Sequence, residues 1–395
     1  MSSKLDNIKP AATIELSTKI REMRKEGIDI ISLNIGEPDF APPQSAVDGV
    51  LYALEHHISQ YGAVPGLFEL REKVCEKLKE NGLNYTPDEI CVSTGAKQAV
   101  FNSLMAICEQ GDEVMLPTPC WVSYDAMIRL CGATPVPVPL KAENGFQLDI
   151  DDISAKVNEK TRAIIINTPN NPTGAVYSKE TLQKLVDLAV KHDFWIISDE
   201  IYEKILFNGN QHVSIASLSK EAWEHCVTVN GFSKAYAIPG WRVGYSAAPK
   251  NLAKSISKVQ GHITSAATSI AQYGALYALE AGDDSVKAMA AEYAERKNIL
   301  VEYLKTVPDI SFLNPQGTFY VFVNVSRYLG RKDNGIAMYT SDALSKYILE
   351  KAHVAVVPGE AFDRSGYIRI SFSNSKENIL RGLEAIKTAL LSLQR

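Results

Sequence analysis

The sequence predicts an α/β protein: a large domain with a mostly parallel seven-stranded sheet flanked by helices, and a smaller α+β domain. Apolar runs alternate with helical patterns between about residues 90 and 250, which is typical of a wound sheet. Runs such as Ala-Ile-Ile-Ile-Asn lack polar alternation, so these strands are expected to be buried on both faces. The predicted strands are 90–93, 113–116, 133–138, 162–167, 194–198, 227–230 and 243–247.

The pattern changes in the C-terminal third of the chain. A long helical tract, 269–306, precedes predicted strands at 319–325, 354–357 and 367–372, with a helix between them. Prolines at positions 38, 42 and 43 mark extended chain near the start, which we expect to return to this smaller domain. We therefore predict a large domain at 45–285 and a discontinuous small domain at 1–44 and 286–395, with a cleft between them. The segment 327–341, rich in charges and glycine, has no assigned role.

Composition limits the kind of partner. The 395 residues are 46% apolar and 22% charged, as in an ordinary globular protein, and the net charge of -5 argues against nucleic acid or an anionic membrane surface. The start of the chain has no secretory signal pattern, and no apolar run approaches a membrane span, so a cytoplasmic location is expected. The six cysteines form no C-x-x-C pair and are predicted to be reduced core thiols. A small-molecule partner follows.

The stretch Gly-Phe-Ser-Lys ending at Lys234, followed by Arg242, combines an amine nucleophile with an anion clamp. A lysine between an apolar strand and a small-residue turn is placed to form a Schiff base, and a guanidinium holds phosphate in a bidentate manner. Lys234 alone would be only a surface lysine. The pair is what a pyridoxal phosphate enzyme requires.

Polar residues close two other core strands. Asp199 ends the run 194–198, where a buried carboxylate needs a partner such as a pyridinium nitrogen, although a helix N-cap explains it about equally well. Tyr202 lies one helical turn further, so both side chains can face one ligand. Asn171 lies in the turn 170–174, where an amide can reach a phenolic oxygen, and plain turn chemistry is the alternative. Because Asp199 and the turn that contains Asn171 both lie at the ends of core strands near Lys234, a shared functional site is favoured.

Further candidates line the same predicted region. Gly95 and Ala96 open a helix at 98–108, whose free backbone amides would bind a phosphate. Lys97 is unfavourable at a helix N-terminus without an anion, unless its long stem carries the charge into water. Trp121 is either a cover for an aromatic ring or a buried core residue. Arg369, in an alternating strand, needs a counter-anion if it is covered, and a substrate carboxylate is one candidate.

Together these motifs closely resemble the class-I aminotransferases of the fold-type-I pyridoxal phosphate superfamily, in their bacterial-type aspartate branch. The resemblance spans nearly the whole chain, and several ordered motifs of this length make coincidence very improbable. The matching segments are 34–40, 61–62, 65–66, 95–98, 170–174, 198–202, 231–244 and 367–371.

The resemblance implies a role for each candidate. Lys234 would bind the cofactor and then move the α-proton, while Asp199 keeps the ring nitrogen protonated and Tyr202 and Asn171 bond the phenolic oxygen. Together Lys234, Asp199 and Tyr202 would be the catalytic residues. The residues implied in cofactor binding are Gly95, Ala96, Lys97, Trp121, Asn171, Asp199, Tyr202, Lys234, Arg242 and Tyr61. The residues implied in substrate binding are Gly36, Trp121, Asn171, Arg369 and Lys97.

The resemblance also implies a ping-pong reaction in a homodimer. Arg369 would bind the α-carboxylate, and Tyr61 matches a tyrosine that reaches the phosphate of the neighbouring subunit. Between Arg242 and Arg296 the chain has no arginine for the side-chain carboxylate, so Lys97 is implicated in that role. Aspartate or glutamate is therefore predicted as one substrate, with 2-oxoglutarate as an acceptor. Aromatic, methionine or alanine donors are alternatives.

Three other classes compete with this interpretation. A C-S lyase on the same fold would keep the cofactor and release pyruvate and ammonia. A regulatory module would need a DNA-binding segment or a basic excess, and a nicotinamide-binding protein would need G-x-G-x-x-G, none of which the sequence contains. Two departures from the family pattern, Gly231 for a frequent serine and Pro239 for a frequent threonine or serine, are predicted to alter cofactor affinity.

Overall fold

The computed structural model describes residues 8 and 12–394. The strands are β1 (Ile31–Ser32), β2 (Ile90–Thr94), β3 (Glu113–Thr118), β4 (Thr134–Pro139), β5 (Thr161–Asn167), β6 (Trp195–Asp199), β7 (Cys226–Gly231), β8 (Val243–Ala247), β9 (Ser311–Phe312), β10 (Tyr320–Asn324), β11 (Lys332–Asp333), β12 (Ile336–Ala337), β13 (Val354–Ala355), β14 (Val357–Pro358) and β15 (Tyr367–Ser371). The helices are α1 (Ala12–Lys25), α2 (Gln44–Glu55), α3 (Phe68–Lys79), α4 (Gly95–Ile107), α5 (Ser123–Leu130), α6 (Ile150–Ser154), α7 (Lys179–His192), α8 (Lys220–Glu224), α9 (Lys250–Ile263), α10 (Ser269–Glu280), α11 (Asp284–Leu304), α12 (Ser341–Ala352) and α13 (Lys376–Ser392).

The predicted seven-stranded sheet is confirmed. Its order is β2-β8-β7-β6-β5-β3-β4, and β8 is the strand that runs antiparallel to its neighbours. From β7 to β4 the adjacent strands are parallel, so the carboxyl ends of β5, β6 and β7 lie at one edge. Asn167 at the end of β5 pairs in register with Asp199 at the end of β6. This edge is where ligands bind in wound sheets.

Successive side chains of the central strands pack into buried cores on opposite faces of the sheet, which explains the uniform apolarity of these strands. In β5, Ile164 and Ile166 join the apolar core on one face of the sheet, whereas Ile165 joins the core on the other face. Helices cover both faces, so neither side of the strand reaches water. None of the helices in the described ranges is both long enough and apolar enough to cross a bilayer.

A four-stranded antiparallel sheet, β14-β15-β10-β9, lies in the C-terminal part of the chain. The predicted strand 354–357 is instead two short strands in different sheets, because β13 pairs with β1 near the start of the chain and β14 pairs with β15. The predicted helical tract 269–306 is divided into α10 and α11 at Gly282, whose φ of 80° no helix accommodates. The first difference depends on which distant strands pair, and the second on a local break at Gly282; apolar periodicity reveals neither.

The domain boundaries at residues 45 and 285 stay a prediction. In the first part of the predicted small domain, residues 1–7 and 9–11 lie outside the described residues, as does residue 395. Strand β1 lies beside β13, as expected for an N-terminal segment that returns to the small domain. The segment 327–341 contains the short hairpin of β11 and β12.

Candidate active site

A cleft of about 690 Å³ lies at the carboxyl edge of the large sheet and is closed on one side by β15. All but two of the residues predicted from the sequence line it. The predicted residues at the cleft are Gly36, Ala96, Lys97, Trp121, Asn171, Asp199, Tyr202, Lys234, Arg242 and Arg369. Gly95 is buried just behind the wall, and Tyr61 is 97% exposed in the loop between α2 and α3, outside this cleft.

Lys234 lies in the turn that follows β7, with its amine directed into the cleft. Its Nζ donates a hydrogen bond to the carbonyl oxygen of Gly36 at 2.5 Å and lies 5.9 Å from the centre of the Tyr202 ring. Burial lowers the pKa of Lys234 to about 8, although Glu37 opposes that change. In the described part of the chain no carboxylate forms an ion pair with this amine. A lysine with such a pKa is partly neutral near pH 7, so it can act as a nucleophile or base.

Asp199 is buried at the end of β6. Its Oδ2 accepts a hydrogen bond from the Tyr124 hydroxyl at 2.6 Å, and its Oδ1 accepts one from the Ile201 N–H at 3.2 Å. Burial raises the pKa of Asp199 to about 6, against the effect of the Tyr124 bond. The residues that follow form turns and no α-helix, so the N-cap interpretation is wrong. The carboxylate has acceptor capacity left for a cationic partner.

The hydroxyl of Tyr202 lies 3.1 Å from that of Tyr320, and both tyrosines are buried at the cleft. Sequence reasoning missed Tyr320 and also Tyr124. A usable signal for Tyr124 was its spacing of three residues from Trp121, which places both rings on one side of the turn into α5. The two rings meet edge to face with centroids 5.3 Å apart.

Arg369 is the most deeply enclosed cation of the cleft, with 5% of its surface exposed. Its guanidinium donates to the side-chain oxygen of Asn171 at 3.0 Å and to the carbonyl oxygen of Asn34 at 2.9 Å. It lies between two rings, 4.1 Å from the centre of Tyr320 and 5.0 Å from that of Phe362. Its Nε is buried without an acceptor, and no described carboxylate forms an ion pair with it. Such a guanidinium is suited to bind an anionic ligand.

Arg242 lies against the turn that begins α4. A Cβ on Gly95 would lie 2.6 Å from Nη2 of Arg242, and Gly95 has φ of 78°, so glycine is needed there for both reasons. Ala96 follows in the first turn of α4, where backbone N–H groups are free of helical partners. A guanidinium beside a helix N-terminus is a cradle for a phosphate-like anion.

The two departures from the family pattern have local explanations. A Cβ on Gly231 would lie 2.9 Å from the Cα of Gly244 and 3.0 Å from the carbonyl oxygen of Val243, so β7 and β8 approach too closely there for a serine. Pro239 begins the short 3-10 turn Pro239–Trp241, a position where a missing N–H loses no helical bond. The predicted effect of these residues on cofactor affinity stays a prediction.

Lys97 lies at the mouth of the cleft, with Nζ 4.8 Å from the centre of the Trp121 ring. Burial lowers its pKa, and the nearby Arg242 lowers it further. Trp121 is half-buried, so it is available to a ligand and is not a simple core residue. The cleft therefore combines four cations, an aromatic wall and one deeply buried carboxylate, Asp199. This combination suits a ligand with an aromatic ring, a positive ring atom and two anionic ends.

Comparisons with known proteins agree with this geometry. Residues 28–386 match the family model of aminotransferase class I and II. The chain is 43% identical to the probable aspartate/prephenate aminotransferase of Aquifex aeolicus, over 99% of this chain and 98% of that protein. It is 36% identical to the aspartate aminotransferase of Bacillus subtilis, over 98% of each chain. The solved aspartate aminotransferase of Rhizobium meliloti matches with a TM-score of 0.96 at 36% identity, over 100% of this chain and 99% of that one.

Proposed function

The chain belongs to the aminotransferase class I and II family, and from this premise we propose that it moves the α-amino group of aspartate to a 2-oxo acid such as 2-oxoglutarate, with pyridoxal 5'-phosphate as cofactor. The observation that carries the proposal is Lys234. Its amine lies in the cleft without a carboxylate partner among the described residues, and its pKa is lowered to about 8.

The residues present fit this cofactor. The buried Asp199 carboxylate suits a cationic ring nitrogen, and Arg242 beside the start of α4 suits a phosphate. Trp121 offers an aromatic face, and a cleft of about 690 Å³ is of ordinary size for a cofactor with its substrate. When bound, the cofactor supplies an electrophilic carbonyl and an electron sink for the electrons left when the α-proton departs.

Each side chain of the cleft has a separate role in the proposed reaction. Lys234, once free as an amine, would act as the general base that takes the α-proton from the substrate and then as the general acid that donates a proton. Asp199, as a carboxylate, holds the positive charge of the ring nitrogen in place. Tyr202 and Asn171 donate hydrogen bonds to the phenolic oxygen, and Arg369 binds the α-carboxylate in a bidentate manner. The amino acid leaves as an oxo acid before a second oxo acid enters, so the kinetics are ping-pong.

Aspartate is favoured because two relatives at 36% and 43% identity carry aspartate in their names, and because Lys97 offers a cation at the mouth of the cleft. The Aquifex relative is also named for prephenate, so prephenate is a second acceptor to test. Aromatic, methionine or alanine donors remain alternatives. A C-S lyase would differ by releasing pyruvate and ammonia from a β-substituted amino acid without any oxo acid.

We also propose that the working unit is a homodimer in which Tyr61 serves the partner's site. Exposed apolar side chains cluster by sequence on α2, α3 and the loop between them, namely Leu51, Leu54, Tyr61 and Phe68. Mixing Tyr61→Phe with Lys234→Ala protein tests this, because a shared site gives hybrids with one intact centre and regains activity. No regain in a verified hybrid would contradict it. The cytoplasmic location stays a prediction.

The first experiment is an absorbance titration of the purified protein. We expect a visible band from the bound cofactor that aspartate moves to the near ultraviolet and that 2-oxoglutarate restores. Lys234→Ala should lose the visible band, whereas Lys191→Ala, which alters an exposed lysine of α7, should keep it. Absence of any band after adding cofactor would overturn the cofactor assignment. A band that aspartate leaves unchanged would overturn aspartate as substrate.

A further inference from the structure

Asp199 has a side-chain partner that no part of the proposed mechanism uses. The hydroxyl of Tyr124 donates to its Oδ2 at 2.6 Å, and the remaining bond to the carboxylate comes from the Ile201 N–H. In residues 12–394, Tyr124 is the one side chain that hydrogen-bonds to this carboxylate. Tyr124 itself is 1% exposed, so its hydroxyl has no access to water as an alternative partner.

The position of Tyr124 is fixed from two sides. It lies in the first turn of α5, and its ring packs edge to face against Trp121 with the ring planes at 86°. Its body also belongs to the apolar core on one face of the large sheet. A tyrosine that served packing alone would gain nothing from a buried hydroxyl, because a buried hydroxyl is costly unless it is hydrogen-bonded. The hydroxyl is therefore the informative part of this side chain.

We propose that Tyr124 is a positioning residue for the reaction: its hydroxyl orients the Asp199 carboxylate and keeps it ionised, so that it can hold the positive ring nitrogen. This inference rests on the proposed function, because it assumes that a cationic ring nitrogen is what Asp199 binds. It concerns the protein's own hydrogen bond, which is present before any cofactor enters.

The charges around Asp199 give the sign of the expected effect. Burial raises its pKa to about 6, the Tyr124 and Ile201 bonds lower it, and the neighbouring Glu200 and Lys234 act in opposite directions. Its in-register neighbours on β5 and β7 are uncharged, namely Asn167 and Val229. Removing the Tyr124 hydroxyl therefore raises the pKa of Asp199 towards the neutral range. A protonated carboxyl cannot balance a positive ring nitrogen.

The test measures cofactor affinity of the apoprotein against pH, and it needs no turnover. In wild type we expect the affinity for pyridoxal phosphate to fall as pH drops through the pKa of Asp199. In Tyr124→Phe the midpoint of that fall should move up by about one pH unit, since a hydrogen bond to a charged group has about that effect. Tyr85→Phe is the matched control, because Tyr85 is also a buried tyrosine but lies outside the cleft and forms no hydrogen bond to Asp199. It should keep the wild-type midpoint.

Two further variants separate positioning from packing. Asp199→Asn removes the titrating group, so any pH dependence of the affinity that remains should be the same with and without Tyr124→Phe. Tyr124→His retains a ring donor and should give a midpoint between those of wild type and Tyr124→Phe, which also keeps the test decisive if the phenylalanine variant folds poorly.

The outcomes distinguish the inference from the proposed function. If wild type binds the cofactor but Tyr124→Phe and Tyr124→His both keep its midpoint, the role of Tyr124 is overturned and the cofactor assignment stands. An equal shift in Tyr124→Phe with and without Asp199→Asn would also overturn it, because Tyr124 would then act independently of Asp199. If wild type binds no cofactor at any pH, the proposed function itself fails.

Discussion

The turn that follows β6 separates two groups of buried charges, one without ion pairs to described residues and one with them. On the cleft side, Lys234 and Arg369 form no ion pair with any described carboxylate. On the far side, the Lys77 ammonium forms an ion pair with Glu203, and both are largely buried. Removing one partner of a buried pair that is balanced within the protein destabilises the fold, whereas buried charges left unbalanced are available to a ligand. In the sequence Asp-Glu-Ile-Tyr-Glu, residues 199, 201 and 202 line the cleft, whereas the two glutamates lie on the far side.

On the far side, the two carboxylates have partners within the protein. Glu200 accepts hydrogen bonds from the hydroxyls of Ser198 and Ser214 at 2.9 and 2.8 Å, and it lies 2.8 Å from Nε2 of His212. Burial opposes the charged form of His212, but Glu200 outweighs it and the pKa of His212 is raised. The ligand atoms of Glu200, Glu203 and His212 lie within 4.8 Å of one another, a spacing compatible with a metal ion. Because Lys77 already neutralises Glu203, the cluster needs no metal for charge balance.

The largest expected effect concerns the ion pair between Lys77 and Glu203 on the far side of the turn. Lys77→Met should lower the free energy of unfolding by about 3 to 5 kcal/mol, because it leaves the buried Glu203 without its counter-ion. Lys73→Met on the same helix is the matched control, since Lys73 pairs with Glu76 at the surface and its loss should matter far less. Urea denaturation of both variants measures the difference. Equal losses would contradict the stabilising role of the buried ion pair.

The second prediction compares two buried arginines. Arg369→Gln should lower kcat/KM for aspartate by about a hundredfold, because it removes charged hydrogen bonds to the substrate carboxylate, without lowering the free energy of unfolding. Arg296, equally buried, contacts Asp39 at 2.7 Å and Glu292 at 2.9 Å. Arg296→Gln should therefore lose stability and retain most affinity for aspartate. Steady-state kinetics and urea denaturation of both variants measure these effects. A loss of stability in Arg369→Gln alone would contradict the assignment of Arg369 to ligand binding and Arg296 to stability.

The third prediction concerns pH. Burial raises the pKa of Asp199 from 3.8 to about 6, so the ligand-free fold binds this proton more tightly than the unfolded chain and loses stability as pH rises from about 4 to 6. Asp199→Asn should therefore raise the free energy of unfolding at pH 7 by about 3 kcal/mol and change little at pH 4. Urea denaturation of the apoprotein at both pH values measures this.

Glu203 gives the opposite sign and serves as the control. Although burial opposes its ionisation, Lys77 holds its pKa at about 2, below the usual 4.5, so its stabilising effect is present above pH 4.5 and is lost as pH falls towards 2. Glu203→Gln should therefore destabilise the protein at pH 7. If Asp199→Asn destabilised the apoprotein at pH 7 as well, the cleft carboxylate would be paired in a way that the hydrogen bonds do not account for.

Sequence patterns predicted the sheet and brought most of the site together, because both depend on local features. Uniform apolar runs identify strands covered on both faces, and polar residues such as Asp199 mark the ends where they stop. The hydrogen bond between Tyr124 and Asp199 joins residues 75 positions apart, and the bond between Tyr202 and Tyr320 joins residues 118 apart. No periodicity encodes such contacts, since they depend on how helices and strands pack in three dimensions. The division of 354–357 between two sheets escaped prediction for the same reason.

The smallest expected effect concerns Lys97, an exposed cation at the mouth of the cleft. It forms no ion pair with a described carboxylate and lies over the Trp121 ring, so it belongs with the unpaired side of the comparison. Lys97→Ala should lower kcat/KM for aspartate by about tenfold, as expected for a partly solvated charge pair. The same variant should leave kcat/KM for alanine and methionine nearly unchanged, because these donors lack a side-chain carboxylate. Lys97→Arg should recover part of the activity with aspartate. An equal loss with all donors would assign Lys97 to the cofactor phosphate beside Arg242, and no loss with any donor would remove it from the site.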